Sequence, residues 1–212
     1  MRVISVNVGR PREVEWHGRR VLTSIWKSPV AGPVRVTTLN LDGDAQSDLS
    51  VHGGPEKAVY GYPAEHYDDW RRELSLETLP WGAFGENLTT SGLREQDLAI
   101  GDRIRVGSVE LMVTQPRMPC FKLGIRFGRD DMVKRFLRSG RSGFYFAVVE
   151  EGSLTAGDSL QFTAREPHGV TVADLAALDT GVARDRDVIR RALQVPALAE
   201  SWKRHLRRMS DE

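Results

Sequence analysis

The sequence predicts an α+β fold, and three observations carry that reading. Short strand-like runs fill the first two-thirds of the chain, helical stripes interrupt them twice, and the strand pattern stops after Arg165. Many short strands parted by Gly, Asp and Pro turns suggest a barrel or a bent sheet, and the inserted helices argue against a pure barrel. The opening run carries Val3, Ile4, Val6 and Val8. Residues 20–26 alternate β-branched and larger side chains, and residues 33–39 put Val34, Val36 and Thr38 on one face. Residues 103–106 and 109–114 flank Gly107-Ser108, a hairpin turn, and residues 143–149 and 159–164 complete the set.

Pro63 suits the first position of a helix over 64–74, with Tyr67, Trp70 and Leu74 on its inner face. Asp130 is placed to cap a second helix, 131–138, that buries Met132, Val133, Phe136 and Leu137. Pro167, His168 and Gly169 read as a linker between a domain over 1–166 and a helical unit over 167–212. The unit's first helix spans 171–177 with Thr171 as an early cap. Its second spans 184–193, and Pro196 opens the third, whose stripe is Leu198, Trp202, Leu206 and Met209. Helices of this length are unstable alone, so the unit is expected to lean on the strand-rich part.

Composition narrows the function classes. The 212 residues are 40% hydrophobic and 28% charged, an ordinary globular balance that excludes wholesale disorder. Thirty basic residues against 29 acidic leave a net charge of +1, which argues against a dedicated nucleic-acid binder. The basic residues of the tail, from Arg184 to Arg208, read as a solvated helix face. No stretch nears the ~18 apolar residues of a membrane span, so no membrane partner is expected. The first residues lack the apolar run of a secretory signal, and a cytoplasmic location is expected. One cysteine, Cys120, cannot make an intramolecular disulfide, a four-cysteine zinc site or a cysteine-ligated iron–sulfur cluster.

Cys120 is the sharpest candidate. It lies in Gln115-Pro116-Arg117-Met118-Pro119-Cys120-Phe121-Lys122, where two prolines predict a rigid loop and Arg117 and Lys122 bring positive charge to the thiol. Cations favour the thiolate, the form that ligates metals or attacks; a buried cysteine acting as a small hydrophobe is the plain alternative. In Val51-His52-Gly53-Gly54-Pro55-Glu56-Lys57, the paired glycines allow close backbone approach to an anion and Lys57 adds a point charge, though an ordinary turn explains the segment too. Gly85-Glu86-Asn87-Leu88 fits a structural turn or a ligand-facing loop equally well. Lys27, after a strand, and the basic loop Ser139-Gly140-Arg141-Ser142-Gly143 are weaker candidates.

Taken in order, Lys27-Ser28-Pro29-Val30, Val51-His52-Gly53-Gly54-Pro55-Glu56-Lys57, Gly85-Glu86-Asn87-Leu88, Gln115-Pro116-Arg117-x-Pro119-Cys120 and Gly140-Arg141-Ser142-Gly143 resemble the MOSC family, relatives of the C-terminal domain of molybdenum cofactor sulfurase. With its helical tail the chain is most similar to the YiiM-like bacterial branch. The resemblance implies a β-barrel-like core, a C-terminal three-helix (3-alpha) unit, and molybdenum cofactor (Mo-molybdopterin) bound with Cys120 as the metal ligand. It implies a catalytic constellation of Lys27, His52 and Cys120, in chemistry independent of pyridoxal phosphate. Lys57, Arg117, Arg141 and the Gly53-Gly54 backbone become candidates for the cofactor's phosphate, and Glu86, Asn87 and Gln115 for its ring edge. Ser28, where family members often carry a second basic residue, is a departure.

The branch is associated with detoxifying N-hydroxylated base analogues such as hydroxylaminopurine. The implied reaction reduces an N–OH group to an amine, with His52 delivering a proton and Lys27 stabilising negative charge. Without an iron–sulfur cluster or a G-x-G-x-x-G fingerprint, the chain needs a separate flavoprotein or ferredoxin-type reductase. Two other functions fit the same thiol: a sulfur carrier with a Cys120 persulfide, and a non-catalytic cofactor-binding module. The oligomeric state is left open by the sequence.

Overall fold

The computed structural model describes residues 1–47 and 53–211. Strand β1 (Arg2–Val8) is followed by the hairpin β2 (Arg12–Trp16) and β3 (Arg19–Thr23), then by β4 (Ser28–Pro29) and β5 (Val34–Val36). A 3-10 turn, Pro55–Lys57, leads into β6 (Val59–Pro63), α1 (Glu65–Leu74) and β7 (Leu88–Ser91). The hairpin β8 (Arg103–Val106) and β9 (Val109–Pro116) precedes α2 (Phe121–Phe127) and α3 (Met132–Ser139). The strands end with β10 (Phe144–Glu150), β11 (Gly152–Leu154) and β12 (Leu160–Ala164), and the tail holds α4 (Val172–Asp179), α5 (Arg186–Gln194) and α6 (Glu200–Asp211).

Eight strands form one mixed sheet in the order β12-β8-β9-β10-β6-β7-β1-β4. Its neighbours are antiparallel except β6 and β7, which run parallel and are joined through α1. The expected α+β class holds, but the expected barrel-like core is corrected: no sheet among the described residues closes. Closure needs a continuous ladder between the outermost strands. Here β12 ladders with β8 and meets β1 only through the isolated bridge Arg2↔Ser159. Both edges of β1 are already taken by β7 and the two-residue β4.

Alternation along the central strands gives the sheet two different faces. On one face Val59, Val109, Leu111, Val113, Phe144 and Phe146 join a mainly aliphatic core. On the other, Tyr60, Tyr62 and Tyr145 face an aromatic cluster with Tyr67 and Trp70 of α1, Phe84, and Phe136 of α3. The inner face expected for α1 is the one buried, although Pro63 ends β6 rather than starting the helix. Asp130 does not cap α3; Asp131 takes the cap position, and Asp130 pairs with His17 at 2.8 Å.

The tail packs on the aliphatic face as part of the same core, through Val172, Leu175, Leu178, Val188, Ile189, Trp202 and Leu206. Thr171 caps α4 in a reciprocal box with Asp174, as its sequence position anticipates. Asp185 caps α5, accepting from the Asp187 and Val188 amides. The Trp202 indole N–H donates to Gln115 Oε1 at 2.8 Å, a buried bond between α6 and β9. With one shared core, tail and sheet are expected to unfold together. Trp202→Ala should cost about 3–5 kcal/mol in urea unfolding, with tail and sheet probes melting in one transition. A separate early transition confined to the tail would contradict this.

Candidate functional site

A cavity opens at the end of the tyrosine-bearing face, where five irregular segments meet, residues 24–27, 44–47, 53–57, 85–87 and 117–120. Of the residues singled out from sequence, Lys27, Gly53, Lys57, Asn87, Arg117 and Cys120 line it together. Gly54, Glu86, Gln115 and Arg141 are not among its lining residues. His52 lies outside the described residues. Lys122, expected to bring charge to the thiol, lines the cavity too, and the structure adds residues that sequence reasoning missed: Asp44, Ser24, and the phenols of Tyr60 and Tyr145.

Lys27 and Asp44 form the buried charge pair of this cavity, with side chains 8% and 1% exposed. Asp44 also accepts from the Gly9 amide at 2.8 Å and from Asn87 Nδ2 at 2.9 Å. Asn87 in turn accepts from the Tyr60 amide at 3.1 Å, which ties the pair to β6. The Lys27 backbone is held by two glycines. A Cβ on Gly82, which sits at φ +83°, would lie 2.8 Å from Lys27 O, and a Cβ on Gly9 would collide with Trp26 O. Burial pulls the Lys27 pKa below the usual lysine value, against the opposing charges of Asp44 and Glu86. Burial likewise raises the phenols of Tyr60 and Tyr145, against the pull of Arg117, so both stay protonated donors at neutral pH.

Glu86 serves the loop rather than the cavity. It accepts from the Gly82 amide at 2.9 Å, the Phe84 amide at 3.1 Å, the Thr89 hydroxyl at 2.9 Å and the Tyr67 hydroxyl. Burial raises its carboxyl pKa above the usual range, and these bonds oppose the rise. Gln115 lies beyond a register shift that separates it from Val113 on β9, and its side chain accepts from the Trp202 indole, away from the cavity. Arg141 lies over the Trp70 ring at 4.6 Å and pairs with Glu73 at 3.3 Å.

Cys120 stands immediately before α2 in extended backbone (φ −120°, ψ 173°), and its residue is partly exposed. The sequence predicts a rigid loop here; a seven-residue helix follows instead, which brings Lys122 into the cavity, donating to Ser47 Oγ at 2.9 Å. Lys27, Lys57, Arg117 and Lys122 thus surround one thiol, with Asp44 the carboxylate among the lining residues. Arg117 Nη1 and Ser24 Oγ are buried without a hydrogen-bond partner among the described residues. Buried donors of this kind are costly unless a ligand completes them. No group of three or more His, Cys, Asp or Glu side chains among the described residues could hold a bare metal ion. A single soft donor amid cations suits instead a metal that arrives with its own sulfur ligands on an anionic carrier. The donor set therefore fits a molybdenum–pterin group.

The MOSC domain description matches residues 48–161, and the YiiM-like, 3-alpha helix domain description matches residues 170–209. The chain belongs to the MOSC family. Uncharacterized protein YflK of Bacillus subtilis is 41% identical over 209 residues, covering 99% of this chain and 94% of that protein. The crystal structure of YiiM from Geobacillus stearothermophilus superposes with a TM-score of 0.82 at 32% identity, covering 99% of this chain and 98% of that one. A protein named "Reductase" from Gibberella moniliformis is 36% identical over 166 residues, 77% of this chain and 29% of its own length. This MOSC protein is thus YiiM-like along its whole length, tail included. No helix among its described residues is long and apolar enough to cross a membrane.

The buried pair makes a pH-dependent prediction for Asp44→Asn. Losing the carboxylate leaves the Lys27 ammonium buried without its counter-charge, at a cost of about 3–5 kcal/mol near pH 7. The same change lowers the Lys27 pKa further. Between that pKa and the unfolded value of about 10.4, the unfolded chain binds more protons than the folded one, so stability rises with pH. Urea unfolding of the variant should therefore recover toward the parent as pH rises from 7 to 9. A deficit that stays constant over that range would show that Lys27 does not carry the cost.

Proposed function

We propose that this chain binds molybdenum cofactor and reduces N-hydroxylated heterocyclic bases of the hydroxylaminopurine type to amines, with electrons from a separate flavoprotein or ferredoxin-type reductase. The observation that carries the reading is one thiol, Cys120, in a cavity with four cations and an unsatisfied buried guanidinium nitrogen on Arg117. Kinship with a longer protein named reductase supports the reaction type. The balance is R–NH–OH plus two electrons and two protons, giving R–NH2 and water.

When bound, the cofactor would supply the two-electron centre that takes up the hydroxyl oxygen. The Cys120 thiolate would ligate the metal, and Lys57, Arg117 and the Gly53 backbone would face the anionic parts of the pterin. Lys27, fixed by Asp44 and two glycines, offers an ammonium to the negative charge that develops at the departing oxygen. Its lowered pKa makes it a stronger acid than a solvated lysine. His52 is assigned the proton delivery by its motif alone. Tyr60 and Tyr145 line the same cavity and present protonated phenols to it.

Protein from a cofactor-competent host should carry stoichiometric molybdenum, and Cys120→Ala should lose it. Absence of molybdenum from both proteins, each folded, would sink this reading and leave the persulfide carrier to be tested by sulfane-sulfur analysis of Cys120. With cofactor retained, Lys27→Ala should lower kcat by about 10²-fold or more, as loss of an oxyanion donor does elsewhere. A nicotinamide donor alone should give no turnover, and adding a flavoprotein reductase should restore it.

A further inference from the structure

The cavity's own cations do not exhaust the positive charge at this end of the molecule. Arg12, the first residue of β2, stacks its guanidinium 3.6 Å from the centroid of the Trp26 ring. Arg126 of α2 approaches the same ring at 6.0 Å. The two guanidiniums are close enough to repel: burial is the main cause of the lowered Arg126 pKa and Arg12 adds to it, while Tyr67 and the carboxylate of Glu86 oppose the fall from a longer distance. Among the described residues neither has a carboxylate at ion-pair distance, and Arg126 Nε is buried without a hydrogen-bond partner. Other arginines of this chain lean on acids, as Arg135 does on Asp131 and Arg141 on Glu73.

The position of the pair is as informative as its charge. Trp26 is flanked in sequence by Ile25 and Lys27, both of which line the cavity, while Trp26, Arg12 and Arg126 themselves lie just outside that lining. Arg126 is four residues beyond Lys122 on α2, hence on the same helix face as that lining residue. The indole takes the flat face of the Arg12 guanidinium, with Arg126 farther out at 6.0 Å from the same ring, and the N–H edges of both are left to an anion. A phosphate monoester carries a charge of about −1.5 to −2 at neutral pH and three acceptor oxygens, which matches two guanidinium forks better than a single carboxylate does.

We infer that Arg12 and Arg126, braced on Trp26, form a phosphate subsite at the cavity rim, so that the preferred substrate is a nucleotide form of the N-hydroxylated base rather than the free base. The inference rests on the reductase reading for the reacting end of the substrate, while the subsite itself is defined by binding.

The test is titration calorimetry of the full-length, cofactor-loaded protein with adenosine 5′-monophosphate and adenosine, neither of which turns over. The monophosphate should bind about tenfold or more tightly than adenosine. Arg12→Gln and Arg126→Gln should each cut that advantage to about twofold or less, with adenosine affinity and molybdenum content unchanged, and Arg126→Lys should keep part of it. Arg12 is exposed on a hairpin, so its variant reports on binding without a folding penalty. No measurable binding of the monophosphate, an equal affinity for both ligands, or an advantage that survives both substitutions would overturn the subsite. Loss of molybdenum in the variants would assign the pair to the cofactor and overturn it as well. A phosphate advantage that depends on both arginines, together with no reduction of any N-hydroxylated base by any donor, would instead fail the reductase reading and leave the subsite standing.

Discussion

The two-residue alternation of side chains along β6, β9 and β10 is the constraint on which the rest of the molecule depends. Each strand must put successive side chains on opposite faces, so a run such as Phe144-Tyr145-Phe146 cannot serve one environment. Phe144 and Phe146 go to the aliphatic core, and Tyr145 goes to the aromatic face and the cavity. The same rule sends Val59 inward and Tyr60 to the cavity. A one-residue slip in register would exchange the two sets and bury phenols against the tail. The polar cavity and the dry core are two consequences of one alternation, held on either side of one layer of backbone.

Loops supply the charges, and the way they are held explains why the cavity can keep them. An ammonium and a carboxylate cost several kcal/mol each to bury unless their remaining donors and acceptors are used. Asp44 meets that condition with the Gly9 amide and Asn87 in addition to Lys27. Glu86, next to Asn87 in sequence, does the same, engaging its two oxygens with two amides and two hydroxyls. These carboxylates set the shape of the loops on which Lys27 and Asn87 stand. Arg117 and Ser24 keep unused donors beside them, which marks the cavity as the part of the polar network that expects a ligand.

Legibility in the sequence followed the range of the signal. The hairpin turn at Gly107-Ser108, the inner face of α1 and the Thr171 cap are local patterns, and each is where the sequence indicates. Short strands such as β4, β7 and β11 have too few residues to show a period, and they are fixed by pairing with distant partners. α2 is hidden because it is short, follows two prolines and contains Gly124; its C-terminal Gly128 in the left-handed region is the cue that was available. Asp44 is invisible for a different reason. It is 17 residues from Lys27 and 43 from Asn87, and no spacing rule links residues whose contact depends on three loops folding together. Gln115 is hidden by a register shift on β9 between it and Val113, so that its turn toward Trp202 does not follow from simple alternation. The open sheet likewise turns on whether β12 finds a second ladder, a long-range fact that composition and turn spacing do not encode.

The helical tail bears on the cavity through the backbone rather than by lining it. No residue of α4, α5 or α6 is among the cavity's lining residues, yet Trp202 bonds Gln115, two positions before Arg117. Ala176 and Thr180 meet Arg117, Met118 and Pro119 around a second, smaller cavity. The segment that delivers Arg117 and Cys120 is therefore gripped from behind at its strand end and at its proline turn. The thiol's position is thus fixed by a strand, two prolines and a tail packed into the core. That arrangement lets one face of the sheet hold a reactive group steady while the other face supplies the stability to do so.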